Sequence, residues 1–155
     1  MAEAGQKAPD FELATDGGGK IRLSKLKGHP VVVYFYPKDS TSGCTKEAQA
    51  FSELATDFES LGTRVIGISP DSAESHARFR TKFDLTVDLA ADPERKAIEA
   101  YGVWIEKSMY GRKYMGVDRS TFLIDAKGRI ARVWRKVKVP GHAQEVLEAA
   151  KALGA

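Results

Sequence analysis

The sequence predicts an α/β fold with a mixed central β-sheet flanked by helices, and three observations carry that prediction. Val31 to Tyr36 is continuously apolar, the pattern of a strand buried on both faces. A helix-periodic stretch and a second apolar run, Arg64 to Ser69, follow it, and a strand–helix–strand unit of that length implies a right-handed parallel crossover. Near the C-terminus, Ser120 to Asp125 and Ile130 to Arg135 flank Ala126-Lys127-Gly128-Arg129, a hairpin signal that adds antiparallel strands.

From the N-terminus, Asp16-Gly17 before Lys20-Ile21-Arg22-Leu23 reads as a turn between short strands, an N-terminal β-hairpin extension. No helix follows Gly17-Gly18-Gly19 at the spacing a phosphate-binding loop needs. Pro37 ends the first long strand, because proline cannot donate to a sheet ladder. Ala48, Phe51, Leu54, Ala55, Phe58 and Leu61 recur at spacings of three and four. That spacing predicts one helix from about residue 43 to 61, capped by Thr41 or Ser42 and closed by Gly62. Asp71-Ser72-Ala73-Glu74 has the form of a capping box ahead of a helix packing Ala73, Ala77, Phe79 and Phe83. Asp92-Pro93-Glu94 marks another helix start, with Gly102 just past its end. Pro140-Gly141 opens a terminal helix carrying Val146, Leu147, Ala150 and Leu153. A β-rich start, βαβα, one more helix, a β-hairpin and a final helix make a thioredoxin-like α/β sandwich. At 155 residues the chain has the size of a single domain.

Composition excludes several function classes. With 24 basic and 21 acidic residues the net charge is +3, too small and too interspersed for a nucleic-acid surface. Arg129, Arg132, Arg135, Lys136 and Lys138 alternate with Val133, Val137 and Val139, the pattern of a solvated strand face. No apolar stretch approaches the ~18 residues of a membrane span. Met1 to Lys7 holds no hydrophobic signal core, so cytoplasmic residence is expected. His29, His76 and His142 lie far apart and read as surface or helix-end residues. Without HxxxH or CxxC spacing, no metal or other cofactor is expected. Walker, GxGxxG and GxSxG motifs are absent as well.

Cys44 is the only cysteine, which excludes an intramolecular disulfide and fits a reducing compartment. It sits between a strand and a predicted helix start, where aligned backbone N–H groups favour an anion. A free thiol has a pKa of about 8.5, and helix N-termini with nearby cations lower it. Taken alone, a single cysteine also fits a small buried hydrophobe. Here Thr41 lies three residues earlier, Pro37 before that, and Glu47 one helical turn later, so the residue types point to thiol chemistry.

Tyr36-Pro37-Lys38-Asp39-Ser40-Thr41-Ser42-Gly43-Cys44-Thr45-Lys46-Glu47 resembles the active-site segment of peroxiredoxins, most closely the Q-type or bacterioferritin-comigratory-protein branch. Asp118-Arg119-Ser120-Thr121-Phe122-Leu123-Ile124-Asp125 resembles that branch's arginine-bearing strand, and Trp134 to Ala143 its C-terminal signature. Ala8-Pro9-Asp10-Phe11 fits too, so the resemblance spans nearly the whole chain. It implies the peroxiredoxin variant of the thioredoxin-like fold. It also implies a thiol-dependent peroxidase reducing hydrogen peroxide and organic hydroperoxides to water and alcohols. Cys44 would be the peroxidatic nucleophile and become a sulfenic acid. Thr41 would hydrogen-bond the thiolate and the incoming peroxide. Arg119 would supply the positive charge that favours thiolate and stabilises the leaving oxygen. Pro37 would shield the thiol from water, and Glu47 would orient Arg119 through a carboxylate–guanidinium pair.

Two departures from the family pattern matter. Ser42 stands where many Q-type members have proline. The places where related chains carry a resolving cysteine hold Gln49 and Arg80. Turnover of a monomer would then need an external thiol, such as thioredoxin, glutaredoxin or glutathione, or a Cys44–Cys44 dimer. A sulfenate without a resolving partner is also open to further oxidation. Two other readings stay open: disulfide exchange through one thiol, with Thr41-Ser42-Gly43-Cys44 replacing C-x-x-C, and a non-catalytic peroxide sensor or interaction domain.

Overall fold

In the computed structural model, which describes residues 2–153, Glu12–Thr15 (β1) and Lys20–Arg22 (β2) form the expected N-terminal hairpin. Thr15 N–H donates to Gly19 C=O at 2.9 Å across its glycine turn. A short 3-10 turn, Leu23–Leu26, leads into Val31–Phe35 (β3), every residue of which is buried. The single helix expected over 43–61 is two, Ser42–Glu53 (α1) and Ala55–Ser60 (α2). The break at Leu54 follows a tertiary contact. Ser52 accepts Thr86 N–H on its hydroxyl (3.0 Å) and the Thr86 hydroxyl on its carbonyl (3.3 Å).

Arg64–Ser69 (β4) then pairs parallel to β3, as the crossover requires. Ala73–Phe83 (α3) begins one residue later than the capping box placed it: Ser72, not Asp71, is the cap, accepting Ser75 N–H. Asp71 instead receives Asp39 N–H and the Ser69 hydroxyl, so tertiary partners took it from the helix. Asp88–Ala91 (β5) is a strand without a sequence forecast. Lys96–Ala100 (α4) starts later than Asp92-Pro93-Glu94 suggested, because the Asp92 carboxylate reaches forward to Lys96 N–H and Ile98 N–H, both at 2.9 Å.

Trp104–Met109 (β6) and Arg112–Val117 (β7) form a separate antiparallel ribbon, also unforeseen. Ser120–Ile124 (β8), Ile130–Trp134 (β9) and His142–Leu153 (α5) fall where the hairpin and terminal helix were expected.

The main sheet has seven strands in the order β2-β1-β5-β4-β3-β8-β9, parallel through β5-β4-β3 and antiparallel outside. Alternation along β3 feeds two cores. Val31, Val33 and Phe35 join Ile98 and Tyr101 around α4 on one face; Val32 and Tyr34 join Ala48, Phe51, Phe79 and Val146 under α1, α3 and α5 on the other. Burying a side chain of this size contributes roughly 1.5–3 kcal/mol, so helices on both faces are fastened to one strand. No helix among the described residues is long and apolar enough to cross a membrane.

Candidate active site

The loop that leaves β3 carries the site. Tyr36 stays beside β4, donating its N–H to Ile68 C=O at 3.1 Å, and half-buried Pro37 then turns the chain away. Ser40 adopts a left-handed conformation (φ 64°), and Thr41 is the extended residue before α1. Thr45 N–H closes the first helical turn on Thr41 C=O at 2.9 Å. Amides ahead of that bond have no carbonyl within the helix to donate to. Cys44 lies in this turn, 2% exposed.

Arg119 arrives from the segment between β7 and β8, its backbone held by Val137 N–H donating to Arg119 C=O (2.9 Å). Its guanidinium spans two partners: Nη2 donates to Cys44 Sγ at 3.3 Å and Nη1 to Glu47 Oε1 at 2.7 Å. Glu47 is 1% exposed, and burial pushes its carboxyl up to about 7 against the pull of Arg119. Burial opposes the Arg119 charge, but Glu47 and Cys44 outweigh it and hold the guanidinium above its ordinary range. Sulfur, guanidinium and carboxylate thus form one hydrogen-bonded chain. A guanidinium N–H aimed at sulfur suits an anionic acceptor and, beside it, an oxygen on which charge develops.

Thr41 and Pro37 lie in the loop leading to this chain. The Thr41 hydroxyl gives its proton to Lys38 C=O (2.8 Å), so it neither caps α1 nor donates to the sulfur. Its lone pairs remain, and they suit the O–H of a hydroperoxide. Arg80, at one expected resolving position, is structural. It donates to the Asp16 carboxylate (2.5 and 3.2 Å), Leu85 C=O (2.8 Å) and Val87 C=O (2.7 Å). Gln49 is half-buried on α1. Of the histidines read as surface or helix-end residues, His76 and His142 lie in the first turns of α3 and α5 and are buried, His76 against Asp39 and His142 against Thr121. Both fill polar sites inside the fold that sequence periodicity does not register.

Sequence reasoning missed Gly43 and Lys107. A Cβ on Gly43 would lie 3.2 Å from Arg119 Nη2, so its hydrogen lets the guanidinium close on the neighbouring thiol. Glycine in a first helical turn costs about 1 kcal/mol against alanine, and that anomaly was the available signal. Burial pulls the Lys107 ammonium below its ordinary range, with Asp118 and Cys44 opposing and Arg119 adding to the shift. Lys107, on a strand the sequence did not announce, is thus a second cation whose charge interacts with those of Cys44 and Arg119.

Comparison with known proteins identifies the family. The model of the AhpC/TSA family matches residues 4–133. Peroxiredoxin Bcp of Bacillus subtilis is 50% identical over 149 residues, covering 96% of this chain and 95% of that protein. A putative peroxiredoxin bcp of Coxiella burnetii is 48% identical over 145 residues, covering 94% and 96%. Among solved structures, peroxiredoxin Q of Xanthomonas campestris superposes with a TM-score of 0.92 at 41% identity, over 98% of this chain and 99% of that one. A structure of the X. campestris bacterioferritin comigratory protein, described for its alkyl peroxide reduction activity, gives 0.92 at 40% over 99% and 100%. The chain belongs to the AhpC/TSA family, as a peroxiredoxin of the Q-type or bacterioferritin-comigratory branch and an enzyme of the thiol peroxidase class.

Proposed function

We propose that Cys44 is the peroxidatic nucleophile and that hydrogen peroxide and organic hydroperoxides are its substrates. The Cys44 thiolate attacks the terminal oxygen of ROOH; an S–O bond forms, the O–O bond breaks, and the departing RO⁻ takes a proton to leave as ROH. The sulfenic acid then reacts with an external thiol, releasing water and forming a mixed disulfide. A second thiol regenerates Cys44 and leaves the reductant as a disulfide. Arg119 bridges the sulfur and the oxygen on which charge grows, Glu47 aims it, Thr41 accepts from the peroxide O–H, and Pro37 limits water at the sulfur.

The observation that carries this reading is the Arg119 guanidinium shared between Cys44 Sγ and Glu47. With no second cysteine in the sequence, the reductant is external; thioredoxin, glutaredoxin and glutathione are the classes to compare. One seven-stranded sheet supports a single domain, and the single thiol fits a cytoplasmic monomer that forms a Cys44-linked dimer only when oxidised. The test is mass spectrometry after mixing with one equivalent of hydrogen peroxide, with a sulfenate-specific trap present. Rapid, stoichiometric labelling at Cys44 is expected. No labelling at micromolar peroxide, or faster reaction with a model disulfide than with peroxide, overturns the reading. Steady-state turnover with each reductant class then identifies the partner.

A further inference from the structure

We propose that Asp39 and His76 are a positioning pair, a buried latch that holds the Pro37–Thr41 loop and the first turn of α1 in the arrangement that attacks peroxide. This rests on Cys44 being the peroxidatic nucleophile. Asp39 is 7% exposed and His76 fully buried. Asp39 Oδ1 accepts the Tyr36 hydroxyl at 2.6 Å; Oδ2 lies 2.7 Å from His76 Nδ1 and accepts the Ser75 hydroxyl at 2.8 Å. Asp39 N–H donates to Asp71 Oδ2 at 2.8 Å, and the same oxygen takes the Ser69 hydroxyl at 2.6 Å. His76 Nε2 lies 3.1 Å from Ala90 C=O.

The protonation pattern follows from these partners. Burial alone would raise the Asp39 carboxyl, but His76, Tyr36 and Ser75 together hold it below the usual carboxylate range, so it is a carboxylate. His76 faces the Asp39 carboxylate at Nδ1 and the Ala90 carbonyl at Nε2, so both ring nitrogens are held by oxygen atoms inside the fold. Asp39 binds Tyr36 after β3 and Ser75 and His76 at the start of α3 directly, and is tied to the end of β4 through Asp71 and to β5 through His76.

Stability is a weak reason for such a pair, since apolar residues of similar volume serve packing as well or better. Directional bonds add a fixed loop geometry. Ser40, beside Asp39, holds a left-handed backbone that persists only when its surroundings over-determine it. The latch sits between Pro37 and Thr41, five residues before Cys44. It also has a cost for the second half of the cycle. While the loop is held, Cys44 is 2% exposed, and a bulky thiol cannot reach the sulfur. Loosening the latch must then slow attack on peroxide and speed reduction by a protein thiol, a divergence that general destabilisation does not produce.

The test uses Asp39→Asn and His76→Gln in the full chain, with two single-turnover measurements followed by mass spectrometry: oxidation of Cys44 by hydrogen peroxide, and reduction of the sulfenate by thioredoxin, with dithiothreitol as the small-thiol control. We expect oxidation about tenfold slower, since small misplacements of reacting groups cost that much or more, and reduction by thioredoxin several-fold faster. Two rates that fall together, or that both stay at the wild-type values, overturn the latch. If either variant fails to fold, Ser75→Ala, which removes one contact to Asp39, must move the rates in the same opposite directions by a smaller factor, or the proposal fails. Wild-type oxidation is measured first; its absence would refute the role of Cys44 itself, whereas a fast wild type with unshifted variants refutes only the latch.

Discussion

Cys44 stands out in the sequence as the candidate nucleophile because its neighbours are a turn and a helix start, whereas Arg119, which the fold brings to its sulfur, was legible only through the family pattern. No local spacing connects two residues so far apart; the contact forms because β8 pairs with β3 and brings its entry segment beside α1. Arg119→Ala should slow Cys44 oxidation about 10²–10³-fold, the usual cost of losing a donor to developing charge. Arg119→Lys should recover little, since an ammonium cannot span sulfur and carboxylate in one plane. Stopped-flow oxidation kinetics read both. Gly43→Ala separates chemistry from stability. Its methyl group must push Arg119 Nη2 from 3.2 Å, so oxidation should slow about tenfold. The unfolding free energy should rise by up to ~1 kcal/mol, because alanine is the better helix former. Glu47 adds a pH dependence. With its carboxyl pushed up to about 7 by burial, it is an anion above that pH and releases Arg119 below it. The oxidation rate should therefore fall as pH drops through 7, and Glu47→Gln should lack that component of the profile.

At the scale of elements, the sequence marked those whose residues share one strong period or one turn type, and it missed those held by neighbours. Val31 to Tyr36 is apolar throughout, and Ser120 to Ile124, buried throughout, pairs beside it in the interior of the sheet. Asp88-Leu89-Ala90-Ala91 has two alanines, poor strand formers, and is a strand because β4 and β1 clamp it from both sides. The β6–β7 ribbon was hidden by its polarity and by its turn. Tyr110 (φ 52°) and Gly111 (φ 78°) make a two-residue reversal with both residues left-handed, where the usual first residue is asparagine, aspartate or glycine. Arg80 shows the same blindness in a side chain. In sequence it is a cation in the last turn of α3; in the fold it ties that helix to the loop before β5 and to the β1–β2 turn. Arg80→Ala leaves two backbone carbonyls and a carboxylate without their donors. It should lower the urea-unfolding free energy by about 2 kcal/mol while leaving the rate of Cys44 oxidation within twofold of wild type.

For the whole molecule, the placement of the chemistry follows from topology: the loop after β3 lies at the carboxyl end of the parallel strands, where open α/β sheets expose backbone groups and collect ligands. On one face of that sheet α5 packs beside α1, and the fastening of α5 carries a titratable group. His142 is 5% exposed, its Nε2 lies 2.8 Å from Thr121 Oγ1 on β8, and its ring meets the edges of Phe51 and Trp134. Burial pulls its pKa down from 6.5 to about 4, so the folded chain keeps the ring neutral where the unfolded chain protonates it. Between those two values the unfolded state binds more protons, and stability rises with pH; equivalently, it is lost as pH falls from 6.5 toward 4. A shift of this size corresponds to roughly 2–3 kcal/mol at the bottom of the window. Glu47 acts in the opposite sense, since its raised carboxyl makes the folded state the better proton binder between 4.5 and about 7. The two slopes partly cancel in the wild type, and the difference between wild type and His142→Gln isolates the histidine. Glutamine keeps a hydrogen-bonding group for Thr121 but does not titrate. Urea denaturation at pH 4.5, 5.5 and 6.5 should show the variant gaining on the wild type as pH falls, with the gap opening below 6.5; parallel curves would mean that α5 stays docked over a protonated His142.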